Sequence, residues 1–131
     1  MEEIEVVLDG PNRELEWIGS SLDDLRAFPK RFRSAMGRAL RIVQKGETHH
    51  RSKPMKGFGN YRVSEIALNS SDGAFRVIYT VRFQDAIYVL HSFQKKSKRG
   101  KQTPKSEIDL IRRRLKLAEE IHASKTLQDR K

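Results

Sequence analysis

Three successive stretches of β-type composition, at about residues 61–68, 75–83 and 86–93, are joined by connections too short for a crossover, so they run as antiparallel neighbours. The first connection, Asn69-Ser70-Ser71-Asp72-Gly73, is a turn by composition, and the second is little more than Gln84-Asp85. A three-stranded meander is therefore the centre around which the rest of the chain must pack.

Helical periodicity flanks the meander. Leu22, Leu25 and Phe28 mark a short helix read from Trp17 onward, with Ser20 or Ser21 as its cap and Pro29 as its break. Phe32, Met36, Leu40 and Val43 mark a second helix, ended by Gly46 with Lys45 set against the C-terminal dipole. After the meander, Thr103-Pro104 supplies a cap and a proline at the first helical position, and Ile108, Ile111, Leu115 and Ala118 form the buried stripe of a third helix. Ile4, Val6 and Leu8 alternate ahead of Asp9-Gly10-Pro11, which predicts a first strand at about residues 3–8.

The expected fold is α+β in the order β-α-α-β-β-β-α. Two N-terminal helices and a C-terminal helix pack on a small, mainly antiparallel sheet, with the helices on one side and the other face open to a ligand. A chain of 131 residues has interior for one core, so a single domain over 1–123 and a polar C-terminal tail over 124–131 are expected.

Charge sets the class of partner. Lys and Arg number 27 against 17 Asp and Glu, a formal charge of +10, which gathers polyanions around the protein. Nucleic acid comes first, although ribosomal surfaces, anionic lipid and an acidic protein satisfy the same charge. With no cysteine, disulfides, thiolate nucleophiles and Cys-based zinc sites are excluded together. Residues 1–8 are acidic with a short apolar run, neither a signal peptide nor a membrane span, so a cytoplasmic location is expected.

Four blocks then carry a resemblance. They are the opening segment Trp17-Ile18-Gly19-Ser20-Ser21-Leu22-Asp23-Asp24-Leu25-Arg26-Ala27-Phe28-Pro29, the loop Lys53-Pro54-Met55-Lys56, the strand Gly73-Ala74-Phe75-Arg76-Val77-Ile78-Tyr79, and Tyr88-Val89-Leu90-His91-Ser92-Phe93-Gln94-Lys95-Lys96. In this order, over about residues 17–114, they resemble the phage-derived HigB-like branch of the RelE-type toxin superfamily. The resemblance implies a RelE-like fold and the toxin of a type II toxin–antitoxin pair. It implies an endoribonuclease that cleaves mRNA with neither metal nor cofactor, on the translating ribosome. The implied partners are mRNA, the ribosome and a cognate helix-turn-helix antitoxin, with DNA reached only through the antitoxin and no membrane involved.

Metal-free RNA cleavage needs a base for the 2′-hydroxyl, cations for the phosphorane and an acid for the 5′-oxygen. Lys53 and Lys56 lie three apart on a segment read as an irregular surface loop, 47–60, where both ammonium groups can converge on a phosphate. Mutual repulsion would depress one of them toward a usable base; the alternative is a solvated loop whose charges only bind. Arg76, inside an apolar strand, either clamps a phosphate or pairs with Glu65 on the adjacent strand. His91, near the end of the last strand, is the preferred acid or base, against the alternative of a packed, hydrogen-bonded histidine.

Lys95, Lys96, Lys98, Arg99 and Lys101 follow the sheet as a basic run suited to a phosphate backbone. The resemblance raises Lys95 and Lys96 above the others: Lys95 joins the catalytic set and Lys96 the RNA contacts, to which Lys98, Arg99 and Lys101 add non-specific charge and Arg62 a further cation. His49 and His50 read as surface residues or RNA contacts, not metal ligands. Phe58, Tyr61 and Tyr88 can stack on bases or pack in the core.

One position departs from the family pattern. Where relatives carry Glu-Ile-Arg, this chain has Glu65-Ile66-Ala67, and loss of a substrate-facing arginine would weaken transition-state stabilisation by about 10²- to 10³-fold. The alternative function is thus an attenuated module that keeps the scaffold and binds RNA or protein. Arg62 compensates only if a bulge turns it to the same strand face.

Overall fold

The meander forms as its composition requires, but two further short strands extend it. The computed structural model describes residues 12–96 and 103–129. In chain order the elements are β1 (Glu14–Trp17), α1 (Ser21–Arg26), α2 (Lys30–Gln44), β2 (Ser52–Pro54), a 3-10 turn (Gly59–Tyr61), β3 (Val63–Ser70), β4 (Gly73–Thr80), β5 (Ala86–Lys95) and α3 (Lys105–Asp129). One five-stranded sheet has the order β1-β5-β4-β3-β2, with β1 parallel to β5 and the other pairs antiparallel. The protein is α+β, with three helices packed on a mainly antiparallel sheet.

The strand expected at 3–8 lies outside the described residues. Trp17, read as the start of a helix, instead closes β1, whose Glu14-Leu15-Glu16-Trp17 alternation is too short to stand out. The segment 47–60 is not irregular throughout, because Ser52–Pro54 pairs with β3 as an edge strand. Pro54 is tolerated there since an edge strand leaves one side of its ladder unused.

Alternation along β4 explains why both faces of the sheet are covered. Phe75 and Val77 meet Leu25 and Phe28 from α1 and its end, and Met36, Leu40 and Val43 from α2. Ile78, on the other face, joins Tyr88 and Leu90 under Ile111, Leu115 and Ala118 of α3. The expectation of helices on one side, with a bare opposite face, is therefore corrected: a strand apolar on both sides needs cover on both. Each fully buried Ile or Leu side chain in these layers contributes about 1.5–3 kcal/mol.

α3 also runs further than expected. Its helix continues to Asp129, and Lys125 Nζ lies 2.6 Å from Glu16 Oε2 on β1, so the polar end expected to be a tail is docked helix as far as that residue. The β3–β4 hairpin turns on Ser71 and Asp72 alone, with Ser70 opposite Gly73. Gly73 has no substitute there, because a Cβ would sit 1.8 Å from the Lys95 carbonyl oxygen. Among the described residues, no helix is long and apolar enough to cross a membrane.

Candidate nucleic-acid interface

α3 covers only part of its sheet face, and the sequence beneath changes where the cover stops. Two cross-strand rows define the change. Lys53, Glu65, Ile78 and His91 are paired in sequence across β2, β3, β4 and β5; the next row holds Ala67, Arg76 and Phe93. Ala74 and Lys95 form a third. Ile78 is under the helix, whereas Lys53, Glu65, Ala67 and Arg76 line a groove of about 430 Å³ beyond it.

Two local features aim these side chains. On β2, Ser52 points to the α2 side, where its hydroxyl lies 2.5 Å from that of Tyr79, so the next residue, Lys53, faces the groove. On β5, the register jumps from Tyr79–Val89 to Ile78–His91, which leaves Leu90 as the extra residue of a bulge. Strict alternation from Ile87 and Val89 would send His91, Phe93 and Lys95 to the α2 side. The bulge turns all three to the groove side instead.

Arg76 is 9% exposed and forms an ion pair with Glu65, itself 3% exposed. Both readings of Arg76 therefore concern one atom set: the partner anticipated on the adjacent strand is present, and the guanidinium still borders the groove. Its Nε is buried without a hydrogen-bond partner among the described residues. Lys95 is 8% exposed beside this pair, at the diagonal position next to Arg76.

His91 sits where helix cover ends. Its ring is stacked on Phe93 with centroids 4.7 Å apart, and its Nε2 lies 2.7 Å from Glu107 Oε1 in the first turn of α3. Its Nδ1 is buried with no hydrogen-bond partner among the described residues. The imidazole is thus a packed group at the boundary, 6% exposed, not one standing free in the groove.

The other expected residues divide. Lys56 occupies the exposed turn after β2, outside the groove lining, so it does not converge with Lys53. The reason is that Lys53 is committed to a strand while the chain turns away through Met55, which packs under α3. Lys96 is exposed at the end of β5, and Lys98, Arg99 and Lys101 lie outside the described residues. Arg62 precedes β3 in a left-handed conformation, φ +54°, and lines a separate hollow with Arg13 and Glu47. No bulge carries it to Ala67. Of the three aromatics, Tyr88 and Phe58 are buried, and Tyr61 is exposed under the Arg82 guanidinium.

Sequence reasoning missed Arg51. Its Nε donates to the Ala67 carbonyl at 3.0 Å, and it lines the groove with Lys53 and Arg76. A guanidinium thus stands beside Ala67, where an arginine is expected from the resemblance. The signal available was its spacing, two residues before Lys53 and immediately ahead of the edge strand β2. His49, half-buried just ahead of β2, packs against the tilted ring of His50 with centroids 4.4 Å apart and accepts the Arg51 backbone N–H on Nδ1 at 3.0 Å. Burial, then the neighbouring His50 and Arg51, hold the His49 imidazole below the usual histidine range.

The groove therefore combines three cationic side chains with one buried carboxylate, a surface that attracts phosphate and orients it by a planar guanidinium. A family model described as phage-derived protein Gp49-like (DUF891) matches residues 23–116, which takes in β2 to β5, both N-terminal helical segments in greater part and the first half of α3. No curated protein matches the chain.

Proposed function

Because this chain belongs to the Gp49-like family of phage-derived proteins, we propose that it is the toxin of a type II toxin–antitoxin pair and cleaves mRNA as a metal-free endoribonuclease on the translating ribosome. The observation that carries the reading is the gathering of Arg51, Lys53 and Arg76 in one groove beyond α3, with Lys95 at the diagonal position next to Arg76. In this proposal Arg51 and Arg76 hold the scissile phosphate through their planar forks, and the ammonium groups of Lys53 and Lys95 offset the charge of the phosphorane.

Cleavage requires the 2′-oxygen to attack phosphorus while the bond to the 5′-oxygen breaks. The 2′-hydroxyl proton leaves to a base, and the 5′-oxygen takes one from an acid. His91 is the proposed proton carrier. Its Nε2 lies 2.7 Å from Glu107 Oε1, which orients the ring, and proton transfer to RNA requires the His91 side chain to turn out of its packed position. Cognate antitoxin, mRNA and ribosome remain the proposed partners, with the antitoxin supplying acidic or helical cover for the basic surface.

The test is a cell-free translation reaction read by primer extension. Wild type should shorten the message, and an Arg51→Ala, Lys53→Ala double variant, both sites being exposed, should lower the rate by about 10²- to 10³-fold. Identical transcripts with wild type, variant and no protein would sink the reading. A second reading, a non-catalytic module that binds RNA or protein on the same scaffold, is favoured by Ala67 together with the burial of His91. Ala67→Arg separates the two: native protein harmless and the variant toxic supports the module, whereas native toxicity excludes it.

A further inference from the structure

The outward face of α2 is a second concentration of positive charge, on the side of the sheet opposite the groove. Lys30, Arg31, Arg33, Arg38 and Arg41 are all exposed, and the helix contains no acidic residue. Arg33 is turned back to the carbonyls of Arg26 and Phe28. None of the others makes an ion pair among the described residues. Three of these cations sit in the first turn, where they oppose the helix dipole and weaken the helix. Helix stability alone selects against such a pattern, so an external anion is the natural counterpart.

The shape of this face suits a chain of phosphates. Ser34 and Gly37 are exposed between the arginines, and nothing lies within 4 Å of where a Gly37 Cβ would be, so a backbone can approach closely. Arg31 and Arg38 are seven residues apart, about 10 Å along the axis. Both border a hollow of about 460 Å³ with Phe32, Arg51, Leu68 and Asn69, and the Arg31 guanidinium lies 4.7 Å over the Phe32 ring. A guanidinium plane resting on a ring offers its outer face to an unpaired base.

This hollow and the groove share Arg51. They meet there because β2 begins at Ser52, opposite Ile66, so from Ala67 onward β3 has no strand at its outer edge among the described residues. We propose that single-stranded RNA seated in the groove continues over this open edge, past Arg51, and along α2, giving the protein a second RNA-backbone contact surface made by Arg31, Arg38 and Arg41. The inference rests on the reading of the groove as the RNA site. An acidic protein would meet the same charge, but the shared arginine, the small residues and the partly exposed ring favour a nucleotide chain.

The experiment measures binding of labelled 2′-O-methyl oligouridylates, which cannot be cleaved through the 2′-oxygen, at about 4 and about 16 nucleotides across a salt series. Arg31→Gln, Arg38→Gln, Arg41→Gln should weaken the long oligonucleotide at least tenfold and reduce its log–log salt slope by about 2, the share of three phosphate contacts on a single strand. The short oligonucleotide should bind the variant as it binds wild type. If the long oligonucleotide is unaffected, or the short one loses as much, the extended track is overturned. Poly-glutamate binding wild type as tightly as the long RNA, with the same loss in the variant, would assign α2 to an acidic polypeptide and overturn the RNA assignment. If the triple variant melts below wild type, Arg38→Glu alone replaces it, with a smaller loss in the same direction. Failure of the groove reading looks different: Lys53→Gln would leave the short oligonucleotide unchanged while the α2 variant still weakens the long one, and α2 would stand as an RNA surface by itself.

Discussion

The face of the sheet beneath α3 has two ends built on the same strands with the same alternation, and they differ in almost everything else. At one end Ile78, Tyr88 and Leu90 are sealed under Ile111, Leu115 and Ala118. At the other, two positions along β4 and beyond the helix, Arg76 stands against Glu65 with Lys53 and Arg51 at the rim. The apolar end obeys burial, and any large hydrophobe would serve. The charged end holds an ion pair nearly out of solvent, a choice that hydrophobic residues of similar volume would match or exceed in stability. Charge kept at such a place is explained by what it binds, and that makes the contrast a functional statement and not only a structural one.

The largest test of the contrast removes one member of the pair. Glu65→Ala leaves Arg76 buried without its partner and should destabilise the protein by about 3–5 kcal/mol in urea denaturation. Replacing both, Glu65→Leu with Arg76→Met, should return most of that loss while abolishing phosphate binding in the groove. A loss below about 1 kcal/mol for the single substitution would mean that the pair behaves as a solvated surface bridge, and the two ends would differ far less than their burial indicates.

A second comparison sets one substitution at each end. Ile111→Ala opens a void under α3 and should cost about 2–5 kcal/mol, whereas Lys53→Ala, at the exposed rim, should move stability by no more than about 0.5 kcal/mol. The same Lys53 variant should reduce RNA binding, and Ile111→Ala should leave it unchanged at temperatures where the protein is folded. If stability and binding responded together at both sites, the division of the face into a structural and a binding end would fail.

Much of this fold was legible because its signals are local. Apolar spacing at 32, 36, 40 and 43 defines α2, Pro29 separates it from α1, and two short connections force the meander. The edge strands were not legible, since Glu14–Trp17 and Ser52–Pro54 acquire strand form from the partners they meet, β5 and β3. Which face α3 covers was equally hidden: its stripe shows that it packs, not on what. At the site, the Arg76–Glu65 alternative could be read from neighbouring strands. The grouping of His91 and Lys95 with Arg76 could not, because it depends on the bulge at Leu90, and an extra residue leaves no mark in an apolar run. Arg51 escaped notice for a related reason, since its importance comes from Ala67 across the strand gap.

The smallest expected effect concerns the rim, where charge is crowded but water is near. His49 is held below the ordinary 6.5 first by burial, then by the positive neighbours His50 and Arg51. A pKa lowered on folding means that the folded state disfavours the imidazolium, so the contribution to stability is present above the unfolded value and is lost as pH falls through the folded one. Titration of the imidazole C2 proton by NMR should therefore give a midpoint below 6.5, and Arg51→Gln should raise it slightly without restoring it, because burial is the larger cause. An Arg51→Gln midpoint equal to the native one would show that the Arg51 guanidinium is too far out in solvent to be felt at His49. The charged end would then be set by Arg76 and Glu65 and not by the cations at its rim, while the apolar end under α3 would be untouched.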